Sequence, residues 1–369
     1  MRIFVFKSRL VWLVTMLLSC LFVSAYDFKV DGIYYNVTDM ANLECEVTKG
    51  DIDYFRLDVP STVMINNRTF TVKRIADEAC YGCQDLMHVK IPNSITSIGD
   101  NAFACSALTA ITIPDSVLSI GEGAFEHCSA LGTVTIGNSV TDIGRNAFYQ
   151  CKKLKNLKIG DSVKNIGKGA FQSCESLESV VLPNSVEFLG ENAFAYCQSL
   201  SKVELSENLR VLEPGTFYSC SKLKLIIIPG SVERIVGART LDNESQVFTD
   251  LVALSLFHSD KELVCGEYSR KYDREDNWGY DVFNEGANNL NEPYFIDGET
   301  WCRRLKSVFF NRQVKPAMRL PQVVELYFGE ELKTVPITDF QKCDNLKTIV
   351  CLGTEPPVLP EGSNKQYIN

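Results

Sequence analysis

Along most of the chain, apolar residues recur in one arrangement. Between Leu86 and Pro229 it reads Leu-x-x-Val-x-Ile-Pro-x-Ser-Val-x-x-Ile-Gly-x-x-Ala-Phe-x-x-Cys-x-x-Leu. Phe125, Phe148, Phe171, Phe194 and Phe217 stand 23 residues apart, as do Cys128, Cys151, Cys174, Cys197 and Cys220. The first full copy is one residue short, so Phe103 precedes Phe125 by 22. Each copy predicts three pieces. In Leu177–Leu182 the alternation predicts a short strand, with Val180 and Leu182 inward and Ser179 and Val181 outward. Pro183-Asn184-Ser185 is turn chemistry, after which Val186 and Leu189 return to the core. Ala193, Phe194, Cys197 and Leu200 fall at spacings that predict a single helical turn on the far side.

A period in the twenties with this core predicts a leucine-rich repeat solenoid. It should carry short parallel strands on one face, short helical turns on the other, and about 12 rungs behind a β-rich N-terminal cap. The residue before Ala-Phe (Thr-Phe in the last copy) is Asn101, Gly123, Asn146, Gly169, Asn192 or Gly215. Glycine and asparagine tolerate positive φ best, which predicts a left-handed backbone there. A helix N-cap is the rival, but it would also admit Ser, Asp and Thr.

The pattern divides the chain into a leader over 1–25, a cap with a first atypical rung over 26–85, and regular repeats over 86–257. An acidic, aromatic insert spans 258–301, and irregular repeats with a tail span 302–369. In the cap, Asp27–Val37 alternates around Asp31-Gly32, a hairpin signal. Leu43–Val47 and Tyr54–Val59 predict further strands, and Asn66-Asn67-Arg68-Thr69 interrupts the pattern before Arg74-Ile75. The insert follows from the spacing of strand starts: Leu305 comes 54 residues after Leu251. It holds Trp278 and Trp301, the only tryptophans after the leader, and eleven acids against four bases. A loop this long in a compact array is commonly functional, and its aromatic content argues against disorder.

The repeat resembles that of BspA-like leucine-rich repeat proteins. Ile113-Pro114-Asp115-Ser116-Val117, Ile120-Gly121-Glu122-Gly123-Ala124-Phe125 and Cys128 carry the resemblance. The openings DFKVDGIYYNV and YFRLDVPSTV are similar to those of such proteins from Gram-negative gut and oral bacteria. The resemblance covers roughly 26–250 and 305–352. It implies an exported or surface protein without catalysis, some members of the family adhering to matrix proteins or to other cells. The insert and the C-terminal segment depart from the family pattern.

Composition adds constraints. The 369 residues are 45% hydrophobic and carry a formal net charge of -9, which disfavours nucleic acid and anionic membrane surfaces as partners. Lys7 and Arg9 precede the apolar run Leu10–Val23, and Val23-Ser24-Ala25 is a small-residue cleavage site, so 1–25 is expected to be a signal peptide. Leu17-Leu18-Ser19-Cys20 has a weak likeness to a lipoprotein-processing site, but the apolar residues after Cys20 argue against a lipid anchor. The mature chain is expected to have no transmembrane span and to be secreted or held at the cell surface.

Fourteen cysteines in an exported chain would suggest disulfides. However, Cys83, Cys105, Cys128, Cys151, Cys174, Cys197, Cys220 and Cys343 read as one repeat position. Stacked side chains lie ~4.8 Å apart and parallel, whereas a disulfide needs its Cβ atoms to converge to ~3.8 Å. A column of buried thiols is therefore expected. Cys80-Tyr81-Gly82-Cys83 has redox spacing; packing, with Cys80 in the phenylalanine place, is the favoured account over a local disulfide or redox pair. A Cys265–Cys302 bridge closing the insert remains open. His88, His127 and His258 lie in different rungs without a second ligand at zinc spacing. Asp273–Gly279 is rich in oxygen ligands but places Trp278 where a calcium loop needs its turn glycine. Asn36-Val37-Thr38, Asn67-Arg68-Thr69 and Asn243-Glu244-Ser245 fit the glycosylation sequon, which means little in a bacterium. Lys152, Lys153, Lys155, Lys158, Lys164 and Lys168 form a cluster, either a solvated face or a binding patch. No nucleophile-elbow, phosphate-loop or metalloprotease motif occurs, and no cofactor is implied.

Two classes of function are consistent with these residues. One is a non-enzymatic binding protein whose partner is a protein or glycan at a cell surface or in the extracellular matrix. Its candidate ligand-binding residues are Val181, Leu225, Ile227, Trp278 and Trp301. Regular rungs leave small polar residues outward, so Leu225 and Ile227 are out of place unless something covers them, and tryptophan dominates many interfaces. The other is a glycan-processing enzyme subunit using insert acids, for which nothing fixes a carboxylate pair. A structural surface component is a third alternative.

Overall fold

The computed structural model describes residues 26–50, 55–235, 253–256, 263–265, 307–310, 314–315, 324–330, 332, 346–353 and 357–358. They form a parallel-strand β-solenoid of about 9 turns. The cap begins with an antiparallel hairpin, Phe28–Val30 against Ile33–Asp39, turned by Asp31 and Gly32 at φ 48° and 85°. Two positive φ values are what a two-residue hairpin turn requires. Glu44–Val47 pairs antiparallel with this hairpin and parallel with Arg68–Ile75, so the cap passes from antiparallel to parallel pairing within one strand. The Asn66-Asn67 interruption is a second such turn, joining Thr62–Ile65 to Arg68–Ile75.

Each rung then has three sides. The first is the predicted strand: Ala110–Thr112, Thr133–Thr135 and Asn156–Lys158 pair in register, with Ile111, Val134 and Leu157 aligned inward. The second is a ladder of two-residue strands, Ser97–Ile98, Ser119–Ile120, Asp142–Ile143, Asn165–Ile166 and Phe188–Leu189, continuous with the cap. The alternation did not separate these from turns, because a two-residue strand contributes only one inward side chain.

The third side departs from expectation. No helix occurs among the described residues; the segment around Ala-Phe is a run of turns. The cause is the backbone. Each rung has two left-handed residues four apart: Asn101 and Cys105, Gly123 and His127, Asn146 and Gln150, Gly169 and Ser173, Asn192 and Tyr196. A left-handed residue cannot continue a right-handed helix. Alternate N–H groups therefore reach into the next rung. Asn146, Phe148 and Gln150 donate to the carbonyls of Lys168, Ala170 and Gln172 at 2.8–2.9 Å. The intervening N–H groups close local turns, as Tyr149 does on Asn146. The left-handed reading of the Gly/Asn position holds. The second left-handed position, whose residue type varies, carried no sequence signal.

Stacking explains the remaining identities. The buried rings of Phe103, Phe125, Phe148, Phe171, Phe194 and Phe217 form a near-parallel stack with centroids 5.1–5.9 Å apart. The Ile-Gly glycines approach each other through their backbones: a Cβ on Gly144 would lie 2.5 Å from the Gly121 carbonyl carbon. At the left-handed position Asn and Gly alternate for a steric reason. The Asn146 side chain lies over Gly169, whose Cβ would come within 2.4 Å of Asn146 Oδ1, and Asn101 covers Gly123 in the same way.

The expected count of about 12 rungs draws on 236–252, 266–306 and 333–345, which lie outside the described residues. Leu225–Ile228, Ala253–Leu256, Ser307–Phe310, Glu325–Phe328 and Thr348–Cys351 nevertheless pair successively in parallel beyond the regular repeats. Leu263–Cys265, at the start of the segment read as the insert, pairs with Arg234–Ile235 in a separate four-stranded sheet that begins at Val211–Leu212. Among the described residues no helix is long and apolar enough to cross a membrane. The leader and Cys20 lie outside them.

Candidate functional site

In-register pairing turns the outward strand residues into two straight rows. The first runs Ala110, Thr133, Asn156 and then, one strand pair on, Ser179 and Lys202. The second runs Thr112, Thr135, Lys158 and then Val181 and Glu204. The rows are small or polar through the first rungs, where Asn156 Nδ2 donates to Thr133 Oγ1. Toward the C-terminal rungs they become apolar. Leu225 and Ile227 lie on one strand, exposed at 50% and 42%. Val181 is also exposed, at 55%, but Glu204 adjoins it in register and is held by Lys202 at 2.6 Å. Val181 is therefore set apart from Leu225 and Ile227 by an ion pair. Trp278 and Trp301 lie outside the described residues.

Register extends this face to residues that sequence reasoning missed. Ile227 aligns with Ser255, then Phe309, Tyr327 and Val350. Phe309 and Tyr327 are half-buried at outward positions, while Phe310 and Phe328 beside them are in the core. Glu325, in the adjoining row, accepts from Ser307 Oγ at 2.7 Å and from the Tyr327 hydroxyl at 3.4 Å. The segments Ser307-Val-Phe-Phe and Glu325-Leu-Tyr-Phe carried the signal: in a strand, only every second aromatic can face inward. The resulting surface offers apolar contact, one aromatic hydroxyl and one anchored carboxylate.

Three of the six clustered lysines are engaged in rung-to-rung ion pairs. Lys152 meets Glu175 at 3.3 Å, Lys155 meets Glu178 at 3.0 Å and Lys168 meets Glu191 at 2.9 Å. Exposed pairs of this kind contribute ~0.2–1 kcal/mol each and fit a solvated face better than a binding patch. His88 packs edge-on against Phe55, and His127 lies 3.5 Å from Glu126 beside Tyr149. His258 and the acidic loop Asp273–Gly279 lie outside the described residues, among which no group of three metal-ligating side chains occurs. A cavity of about 370 Å³ opens at the cap, between Val30, Ile33, Leu57 and Met64, with the exposed Arg56–Asp58 pair on its wall.

The cysteine column is real, with one correction. Cys105 does not belong to it. The one-residue shortening falls between Phe103 and Leu108, so Cys105 takes the second left-handed position and buried Ser106 takes the column place, 3.2 Å from Cys128 Sγ. The column thiols donate to phenylalanine carbonyls of the preceding rung: Cys151 to Phe125 at 3.2 Å and Cys174 to Phe148 at 3.4 Å. These carbonyls also accept an in-rung N–H, so the thiol takes the remaining lone pair. Burial pushes the Cys151 and Cys174 thiols well above their ordinary value and Cys197 to about 12. Under native conditions alkylation is expected to spare Cys151 and Cys174 and to label them only after unfolding. A Cys151–Cys174 bridge found by mass spectrometry would contradict the parallel stack. Cys265 is described only as strand backbone, and Cys302 and Cys343 lie outside the described residues.

The match to a family model supports the same architecture. A family model described as a BspA type leucine rich repeat region matches residues 61–175 and 141–246, with 6 copies. No curated protein matches the chain. Among solved structures, a leucine-rich repeat protein from Bacteroides ovatus aligns at 23% identity over 91% of this chain and 79% of its own, with a TM-score of 0.48. A leucine rich repeat protein of T. pallidum aligns at 26% identity over 57% of this chain and 86% of its own, with a TM-score of 0.40. A leucine rich cell surface protein from Faecalibacterium prausnitzii aligns at 18% identity over 90% of this chain and 96% of its own, with a TM-score of 0.42.

Proposed function

The chain belongs to the BspA type leucine-rich repeat family, and on that premise we propose that it is an exported, non-catalytic binding protein. Its partner is a protein or glycan at a cell surface or in the extracellular matrix, held on the strand face of the C-terminal rungs. The observation that carries this reading is the exposure of Leu225 and Ile227, the latter in register with Phe309 and Tyr327, on a face that is small or polar through its first rungs. Burying an aliphatic side chain of this size is worth ~1.5–3 kcal/mol. Two on one strand, continued by aromatics, have the composition of an interface centre. Trp278 and Trp301, brought by the insert between rungs, add the anchors, and Val181 lies at the margin beyond the Lys202–Glu204 pair. The leader 1–25 directs export.

The test uses the full mature chain against immobilised matrix proteins and a glycan array. Leu225→Asp with Ile227→Asp, and separately Trp278→Ala, are expected to abolish binding while the melting temperature holds. A fall of several degrees in melting temperature, with binding to every probe unchanged, would make the insert a cover that seals the solenoid and would end the binding-face reading.

A further inference from the structure

The rung at Cys80-Tyr81-Gly82-Cys83 differs from all the regular rungs. Elsewhere the core position three residues before the column cysteine is phenylalanine, and the column thiol donates to the preceding rung's phenylalanine carbonyl. Here that core position is Cys80, fully buried, with its N–H on the Ala102 carbonyl just as Phe103 uses Ala124. Two thiols therefore share one rung instead of lying in stacked rungs. The parallel-column geometry that keeps Cys151 from Cys174 does not apply to them.

Their geometry favours a bond. Gly82 is left-handed at φ 72° and the Cys83 N–H donates to the Cys80 carbonyl at 3.4 Å, a tight four-residue turn. Such a turn holds its end Cα atoms within ~7 Å, near the ~4.4–6.8 Å that disulfides span. The side chains also turn toward each other and share a thiol–thiol hydrogen bond. That bond, helped by the Lys49 ammonium, holds the Cys83 thiol below its ordinary value against the partial burial that raises it. Cys80, held by the same bond and by full burial, is pushed well above. One thiol is thus half-exposed and shifted toward its thiolate, and its neighbour is enclosed and shifted away from it. Lys49 itself is fixed by Glu78 at 2.9 Å and lies over the exposed Tyr81 ring.

We propose that Cys80 and Cys83 form a reversible dithiol–disulfide site on the first complete rung, oxidised by exchange with a low-molecular-weight disulfide. The Cys83 thiolate attacks one sulfur of that disulfide, breaking its S–S bond and releasing one thiolate. Cys80 then gives its proton to solvent and attacks Cys83 Sγ, closing Cys80–Cys83 and releasing the second small thiolate. Two protein thiols are oxidised and one small disulfide is reduced to two thiols, so the electrons balance. So short a loop adds little constraint to the unfolded chain, which makes the bond a chemical switch more than a structural staple.

The test is direct because the tryptic peptide Ile75–Lys90 holds both cysteines and no other. The folded protein is incubated in glutathione disulfide, quenched with acid, alkylated and digested. The expected result is a peptide lighter by two hydrogens and refractory to alkylation, restored by dithiothreitol, with Cys128, Cys151 and Cys174 still thiols. Cys80→Ala, which keeps the core position apolar, is expected to trap glutathione on Cys83, and Cys83→Ser to prevent any reaction at Cys80. Recovery of Ile75–Lys90 with two alkylated cysteines, under conditions that glutathionylate the exposed Cys351, would overturn the proposal. So would glutathione retained on Cys83 of the unsubstituted protein.

Discussion

Replacing Phe148 with alanine is expected to cost ~3–5 kcal/mol, the range for deleting a buried aromatic. Phe148 has no exposed surface, and its ring lies 5.1 Å from Phe125 and 5.2 Å from Phe171, within 3° of parallel to both. The substitution therefore breaks two ring contacts, each worth ~0.5–1.5 kcal/mol beyond burial. It also opens a cavity that cannot collapse. The backbone on either side is tied to both neighbouring rungs by the Phe125→Ala147 and Phe148→Ala170 hydrogen bonds at 2.8 Å. Denaturant melts of the full chain measure the loss. A cost below about 1 kcal/mol is outside what a stacked core aromatic allows.

Gly169→Val is expected to be comparably damaging, for a different reason. Gly169 sits at φ 61°, where a β-branched residue costs ~1–3 kcal/mol in backbone strain alone. Its Cβ would also meet Asn146 Oδ1 at 2.4 Å. Gly169→Asn separates the two effects. Asparagine tolerates the backbone, so the backbone cost is small and the collision with Asn146 remains. A measurable destabilisation by Gly169→Asn, recovered when Asn146→Gly is added, is the expected outcome of the double-mutant cycle. Strict additivity of the two substitutions would show that the Asn146 side chain does not constrain its neighbour.

The strict period made the inward and outward assignments of the regular rungs legible. Side-chain alternation alone determines that Val180 is core and Val181 is surface. The two rows of the candidate face were also readable as far as Ile227. Their continuation through Phe309 and Tyr327 was not, because irregular spacing hid which residues align across strands. The far side was misjudged because Ala-Phe-x-x-Cys spacing suits a helical turn and a pair of left-handed residues equally well. His127, Gln150, Ser173 and Tyr196 give no hint of positive φ; rung-to-rung hydrogen bonding imposes it. The Cys105 assignment failed over one residue. Counting backward from Leu108 lands on Cys105, whereas counting forward from Phe103 places Ser106 in the column, because the missing residue falls between Ser106 and Leu108.

The asparagine laid over each following glycine gives the array a parity. Two neighbouring rungs are not equivalent: one projects a side chain and the next receives it. An asparagine rung can therefore be duplicated without conflict only together with the glycine rung that follows it. Excising one rung, so that Asn146 is followed directly by Asn192, sets two projecting side chains against one space, while excising two keeps every asparagine above a glycine. A solenoid that looks free to lengthen by any turn can take a further asparagine rung in this segment only where a glycine rung comes next.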